Sequence, residues 1–207
     1  MKKAFTLIEM LVVIGIIAVL TGAGLAGFSK MRATAERAKV QELVSNTATA
    51  LSALYQKEGS WPKRLANPAA GGDGELGADA AAPLARGGYM SLSHESVSSD
   101  GKQVRLTGLD KLGVVDPWAA AVIKRKGSSA SLGDKVPGAG TVQDHLLHYA
   151  LDLDGDGITE ANVGGESIKI RAAAVVWGAG KDGKMERYKD GLKRDDVYSW
   201  APGMVAK

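Results

Sequence analysis

Residues Phe5 to Phe28 read FTLIEMLVVIGIIAVLTGAGLAGF, and the rest of the chain is organised around them. From Met10 to Phe28 the run is uncharged for about 19 residues, the length a helix needs to cross the hydrocarbon core of a bilayer. Lys2 and Lys3 precede it; Lys30 and Arg32 follow it. One residue inside is out of place in lipid. Glu9 lies four positions after Phe5, and a carboxylate at that depth is costly unless protonated or paired. Glu9 is therefore the first candidate functional residue.

A secretory signal peptide explains the basic start and the apolar run. It does not explain the acid, and Ala23, Ala26 and Gly27 lead on into further helix rather than to a clear cleavage site. An ordinary signal anchor also leaves Glu9 without a purpose. The segment KKAFTLIEMLVVIGIIAVL, Lys2 to Leu20, resembles the N-terminal signature of type IV pilins and type II secretion pseudopilins. The resemblance implies a leader of residues 1–4, cut between Ala4 and Phe5 by a prepilin peptidase and methyltransferase that also methylates the Phe5 amine. It implies that residues 5–28 form a transmembrane helix that packs into a filament core. The chain departs from the signature in having Ala4 where Gly is usual. It also has Gly22, Gly24 and Gly27 where many relatives carry a late helix proline.

Cleavage would give Phe5 an α-amine with a reference pKa near ~8, largely charged at neutral pH. Glu9 would pair with that amine on a neighbouring subunit inside the apolar core and set the register of assembly. Removing one member of such a pair costs on the order of 3–5 kcal/mol. The competing reading is an acid near a helix N-terminus, favoured there by the macrodipole.

Beyond Phe28 the chain turns amphipathic without a break. Lys30 to Lys57 holds neither Gly nor Pro, and Val40, Leu43, Val44, Thr47, Leu51, Leu54 and Tyr55 recur at spacings of three and four. The spacing predicts that residues 29–58 continue the same helix, for ~53 residues and ~80 Å in all. Gly59 and Pro62 end it. The phrase LYQKEGSWP, Leu54 to Pro62, is similar to the turn that closes this helix in pseudopilins.

Residues 59–207 are left for a single head. With 27 glycines and 5% aromatic residues in 207, it is expected to be loop-rich with a small core. Formal charge is +3, and loss of Lys2 and Lys3 leaves +1, which gives no reason to expect nucleic acid as a partner. There is no cysteine to brace the head, so bound metal is a candidate brace. Residues 68–88, rich in Ala, Gly and Pro, read as a surface loop with a short helix near Asp79 to Ala85. A strand is possible at Gln103 to Leu106. Asp116-Pro117-Trp118 resembles the turn leading into the pseudopilin sheet, with Ala119 where Gly usually follows and Trp118 read as core. Strands are expected at Ala120 to Lys124, His145 to Leu151 and Ser167 to Trp177, with a polar loop at Gly127 to Thr141. One long helix followed by strands, with no βαβ alternation, predicts an α+β, pilin-like fold with a small antiparallel sheet packed on the helix.

Two acidic groups are candidate calcium sites, for one ion or two. Asp152, Asp154, Asp156 and Gly157 match the opening of a DxDxDG loop, with the Ile158 carbonyl and Glu160 as the next ligands. The twelfth position is Val163 rather than Glu, and an acidic hairpin turn is the alternative. The endings GAGKDGK and RDDVYSW resemble the C-terminal loop of the major pseudopilin. Carried over, that makes Asp182, Asp195 and Asp196 ligands; the alternative is ion pairing with Lys184, Arg187, Lys189 and Lys193. No catalytic constellation is present. His145 and His148, read on opposite faces of a strand, are expected to be structural.

The resemblance thus implies a type II secretion pseudopilus subunit in the inner membrane, with its head outside the cytoplasm. Its partners would be further copies of itself, minor pseudopilins and an inner-membrane assembly platform. A type IV pilus subunit for adhesion, motility or DNA uptake is the first alternative. A membrane-anchored calcium-binding module that does not polymerise is the second.

Overall fold

The computed structural model describes residues 7–66, 73–90, 112–188 and 195–206, with the backbone alone at 22–30, 73, 128 and 202. The element order is α1 (Leu7–Glu58), α2 (Lys63–Ala66), β1 (Asp73–Glu75), α3 (Ala78–Arg86), α4 (Pro117–Lys126), β2 (His148–Leu151), β3 (Thr159–Val163), β4 (Glu166–Ile170), β5 (Ala174–Gly178) and β6 (Val197–Tyr198). The fold is α+β and pilin-like, as the sequence predicts. The proposed strand at Gln103 to Leu106 lies outside the described residues.

The chain divides into two compact units, Met1–Ala38 and Lys39–Lys207, and α1 contributes to both. In the first unit the stretch Met10 to Leu20 is apolar on every side, and the large side chains from Leu7 onward are exposed, Leu7 at 84%, Ile14 at 63% and Leu20 at 66% among them. Near its end Arg32 pairs with Glu36 at 2.9 Å along the helix. Among the described residues no helix is long and apolar enough to cross a membrane.

In the second unit α1 is amphipathic. Val40, Val44, Leu51 and Leu54 are fully buried in a core shared with Leu65 of α2, Leu84 of α3, and Leu147, Tyr149, Leu151 and Val176 of the sheet. Each such leucine contributes about 1.5–3 kcal/mol by leaving water. The helix stops where predicted. Gly59 takes φ 69°, and its N–H closes the last turn on the Tyr55 carbonyl at 2.8 Å. Tyr55 stacks on Trp61 at 4.6 Å, and the Trp61 indole donates to the Asp152 carbonyl at 2.6 Å.

The main sheet is antiparallel with order β1-β2-β5-β6, and β3 pairs with β4 in a separate hairpin. Every residue of β5 is buried because both faces of the sheet are covered. Ala174 and Val176 point to α1, whereas Val175 and Trp177 point to the hairpin residues Ala161, Val163, Ile168 and Ile170. The hairpin turns on Gly164 and Gly165, at φ 60° and 82°, with Val163 opposite Glu166. That is the two-residue turn that needs positive φ at both central positions.

Three strand expectations need correction. Ala120 to Lys124 is helical, part of α4. Asp116 caps it, accepting from the N–H groups of Trp118 and Ala119, and Pro117 occupies its first turn. Three successive alanines then favour helix over strand. Ser167 to Trp177 is two strands, broken at Arg171–Ala173, since Ile170 pairs with Thr159 but Ala174 with Leu151. His145 precedes β2 in a single 3-10 turn, Gln143–His145. Trp118 is half-buried between two apolar clusters, as expected of a core residue. The predicted short helix at Asp79 to Ala85 is α3; residues 67–72 of the adjoining loop lie outside the described residues.

Candidate functional site

Three places carry the functional candidates. The first is the start of α1. Glu9 lies in its first turn, exposed among exposed apolar side chains. A helix apolar all round has no solvent-facing side, so lipid or other apolar helices are its stable surroundings. Ala4 and Phe5 lie outside the described residues.

The second is the connection from β2 to β3. Asp152 is buried, and its two oxygens accept from the N–H of Gly155 at 2.7 Å and of Gly157 at 2.8 Å. Both glycines take positive φ, 77° and 81°, which aims their amides back at the carboxylate. Asp156 accepts from the Ile158 N–H at 2.7 Å. The loop so bent brings one oxygen each of Asp152, Asp154 and Asp156 within 4.8 Å of one another. Three carboxylates at that spacing form a hard-oxygen set of the kind calcium takes. Glu160 lies outside this group: it stands on β3 opposite Lys169 of β4 and pairs with it at 2.6 Å. Val163, at the twelfth position, is fully buried in the hairpin core.

The third is the C-terminal acidic loop. Asp195 accepts from the N–H of Lys181 at 2.7 Å and of Asp182 at 3.3 Å, so it ties down the turn after β5. A side chain at Gly180, φ 65°, would stand 2.6 Å from the Asp195 backbone. Asp182 accepts from the Lys184 N–H. Asp196 is buried, and one oxygen accepts from the Glu186 N–H at 3.0 Å and the Tyr198 hydroxyl at 3.1 Å. Its other oxygen, Oδ1, is buried with no partner. Burial pushes the Asp196 carboxyl up to about 6, with Asp195 and Glu186 adding to the rise. Among the described residues only the Asp152 group is drawn as tight as 4.8 Å. The sequence thus indicates both acidic regions, and the structure gathers carboxylates in the first. Lys189 and Lys193 lie outside the described residues.

Sequence reasoning missed a fourth feature, the buried pair of Asp116 and His145, whose Oδ2 and Nδ1 are 2.5 Å apart. The two residues are 29 positions apart. The only local signal is an Asp-Pro helix start, which accounts for Asp116 but not for its histidine partner.

A family model described as the prokaryotic N-terminal methylation motif matches residues 1–25. Neither a curated protein nor a solved structure matches the chain. The motif implies processing by prepilin peptidase, anchoring in the membrane and assembly into filaments in the envelope. The chain therefore bears, on a pilin-like α+β fold, the N-terminal signature of the type IV pilins and pseudopilins.

Proposed function

We propose that this protein is a subunit of a type II secretion pseudopilus, polymerising through α1 to drive protein export. The observation that carries this reading is the start of α1, where an acid in the first turn is followed by exposed apolar side chains on every side. Such a surface is stable when helices of other copies, or lipid before assembly, cover it. The work is mechanical, and no catalysis is assigned to the chain. The absence of cysteine and the GAGKDGK and RDDVYSW endings favour the secretion filament over a motility or adhesion pilus. Deleting the gene should abolish export of folded proteins across the outer membrane and leave surface motility and DNA uptake unchanged. Loss of motility or DNA uptake with export intact would assign the chain to a type IV pilus instead.

Calcium is part of the proposal. Asp152, Asp154 and Asp156 would hold it, since their oxygens already converge. The unpartnered oxygen of Asp196 offers a second anchor. The ion would offset the mutual repulsion of the acids and fix the loops. Calcium at 100 times its dissociation constant should stabilise the fold by ~2.7 kcal/mol, raising the melting midpoint of the full chain in detergent by roughly 5–10 °C. Asp154→Asn with Asp156→Asn should remove most of that rise. A midpoint indifferent to both calcium and chelator would remove calcium from the proposal.

A further inference from the structure

We propose that Asp116 and His145 form a proton-dependent latch that ties the start of α4 to the chain entering β2 within the lobe of residues 112–147, and that packs against the turn at Gly183. Asp116 spends Oδ1 on capping α4, bonding Trp118 N and Ala119 N at 3.0 Å each. Its Oδ2 is left to face His145 Nδ1 at 2.5 Å. The opposite ring nitrogen, Nε2, faces the Ala139 carbonyl at 3.0 Å. Both side chains are sealed from water, at 0% and 2% exposure.

The proton count follows from the partners. A carbonyl cannot donate, so Nε2 carries a hydrogen, and the Asp116–Nδ1 contact needs a second. With two protons the pair is neutral as a whole and both bonds are made. Removing one leaves a net negative charge in an apolar site and one contact between two acceptors.

His145 is a single ring joining three segments of the lobe. It links the α4 N-terminus, the turn that holds Ala139, and the chain entering β2, where Asp116 N donates to the His145 carbonyl at 3.1 Å. Gly183, φ 67°, packs its backbone on the same ring; a Cβ there would stand 2.9 Å from Nε2. Loss of the Nε2 hydrogen would therefore be felt in the Gly183 turn as well as in the lobe.

The charged groups around the ring favour its doubly protonated form. Asp116 faces it from α4, and Asp144 from its own turn. Thr141 holds the Asp144 carboxylate through its N–H at 2.7 Å and its hydroxyl at 2.8 Å, and Lys135 acts on the same carboxylate. The turn at Ala139 contributes a carbonyl, Trp118 contributes its ring at 6.4 Å, and Asp182 and Lys184 flank Gly183. Burial opposes the imidazolium, but the hydrogen bond and charge of Asp116 outweigh it and hold His145 above its ordinary value. A folded value raised in this way gives stability that is complete below the unfolded pKa of ~6.5 and fades as pH rises through the folded value.

The test is hydrogen exchange on the full chain in detergent at pH 6 and pH 9, with protection corrected for the intrinsic pH dependence of exchange. Protection of amides in 114–147 and at the Gly183 turn should fall about tenfold or more at pH 9. Amides of β5 should hold steady. His145→Gln, which cannot titrate, should show no such fall. A flat profile in the wild type, or the same fall in His145→Gln, overturns the latch. Ring-nitrogen NMR of the wild type is independent of how the variant folds: both ring nitrogens should be protonated at pH 6, and a singly protonated ring with no bond to Asp116 overturns it equally.

Discussion

Replacing Glu9 with alanine is expected to leave the head folded and to abolish entry of the chain into filaments. Glu9 stands in the first turn of α1, between Ile8 at 70% exposure and Met10 at 47%. Once those neighbours are covered by other helices, a carboxylate among them is tolerated only if it is paired. Under the proposed processing, the amine freed at Phe5 would be the nearest cation in sequence. Taking the acid away strands that amine in the apolar core at a cost of about 3–5 kcal/mol, roughly two to three and a half orders of magnitude in each subunit's association constant. Filament material sheared from cells carrying only Glu9→Ala should therefore lack the chain, while its melting midpoint stays at the wild-type value. If Glu9→Ala assembled normally, Glu9 would be no more than a favourable charge at a helix start, worth ~0.3–1 kcal/mol.

The largest effect on folding should come from Trp177. This residue is 1% exposed, stacks on His148 at 5.8 Å and meets Trp200 edge-on at 5.9 Å. It joins the main sheet to the β3–β4 hairpin. Trp177→Ala should cost about 3–5 kcal/mol in lost burial and residual cavity, a large share of the ~5–15 kcal/mol that stabilises a domain. That corresponds to a melting midpoint lowered by roughly 6–20 °C. Trp177→Phe is the informative control. The indole N–H is buried without a partner, so removing it relieves an unsatisfied donor and offsets part of the lost volume. Trp177→Phe should cost less than half as much as Trp177→Ala. A Trp177→Ala variant melting within about 2 °C of wild type, under ~1 kcal/mol, would mean that the hairpin does not depend on this contact.

The long helix was legible because its evidence is local and redundant. An apolar run, an unbroken periodic face and a Gly59 stop all give one answer, and the face read from Val40, Val44, Leu51 and Leu54 is the one that is buried. The sheet was less legible. Ser167 to Trp177 carries one continuous strand-like composition, yet the chain changes partner inside it, and composition does not encode a change of partner. The break is held from elsewhere: Asp152 N donates to the Ala173 carbonyl, and Thr159 Oγ1 bonds the Ala172 carbonyl. Other signals were present but outweighed. Gly164-Gly165, preceded by Thr159, Ala161 and Val163 alternating inward, marks a hairpin. Asp116-Pro117 followed by three alanines marks a helix start. At the sites, the DxDxDG pattern anticipates that Asp152, Asp154 and Asp156 converge; only the fold shows that Glu160 turns to Lys169 instead. The Asp116–His145 contact could not be read at all, because only the path of the backbone brings the two together.

The most direct test is the intact mass of the membrane-extracted protein, with its N-terminus read by tandem mass spectrometry. A prepilin-type subunit must begin at N-methyl-Phe5, lacking Met1 to Ala4. A chain that retains Met1 in cells with an active prepilin peptidase would contradict processing at Ala4, and with it assembly through a freed amine and Glu9.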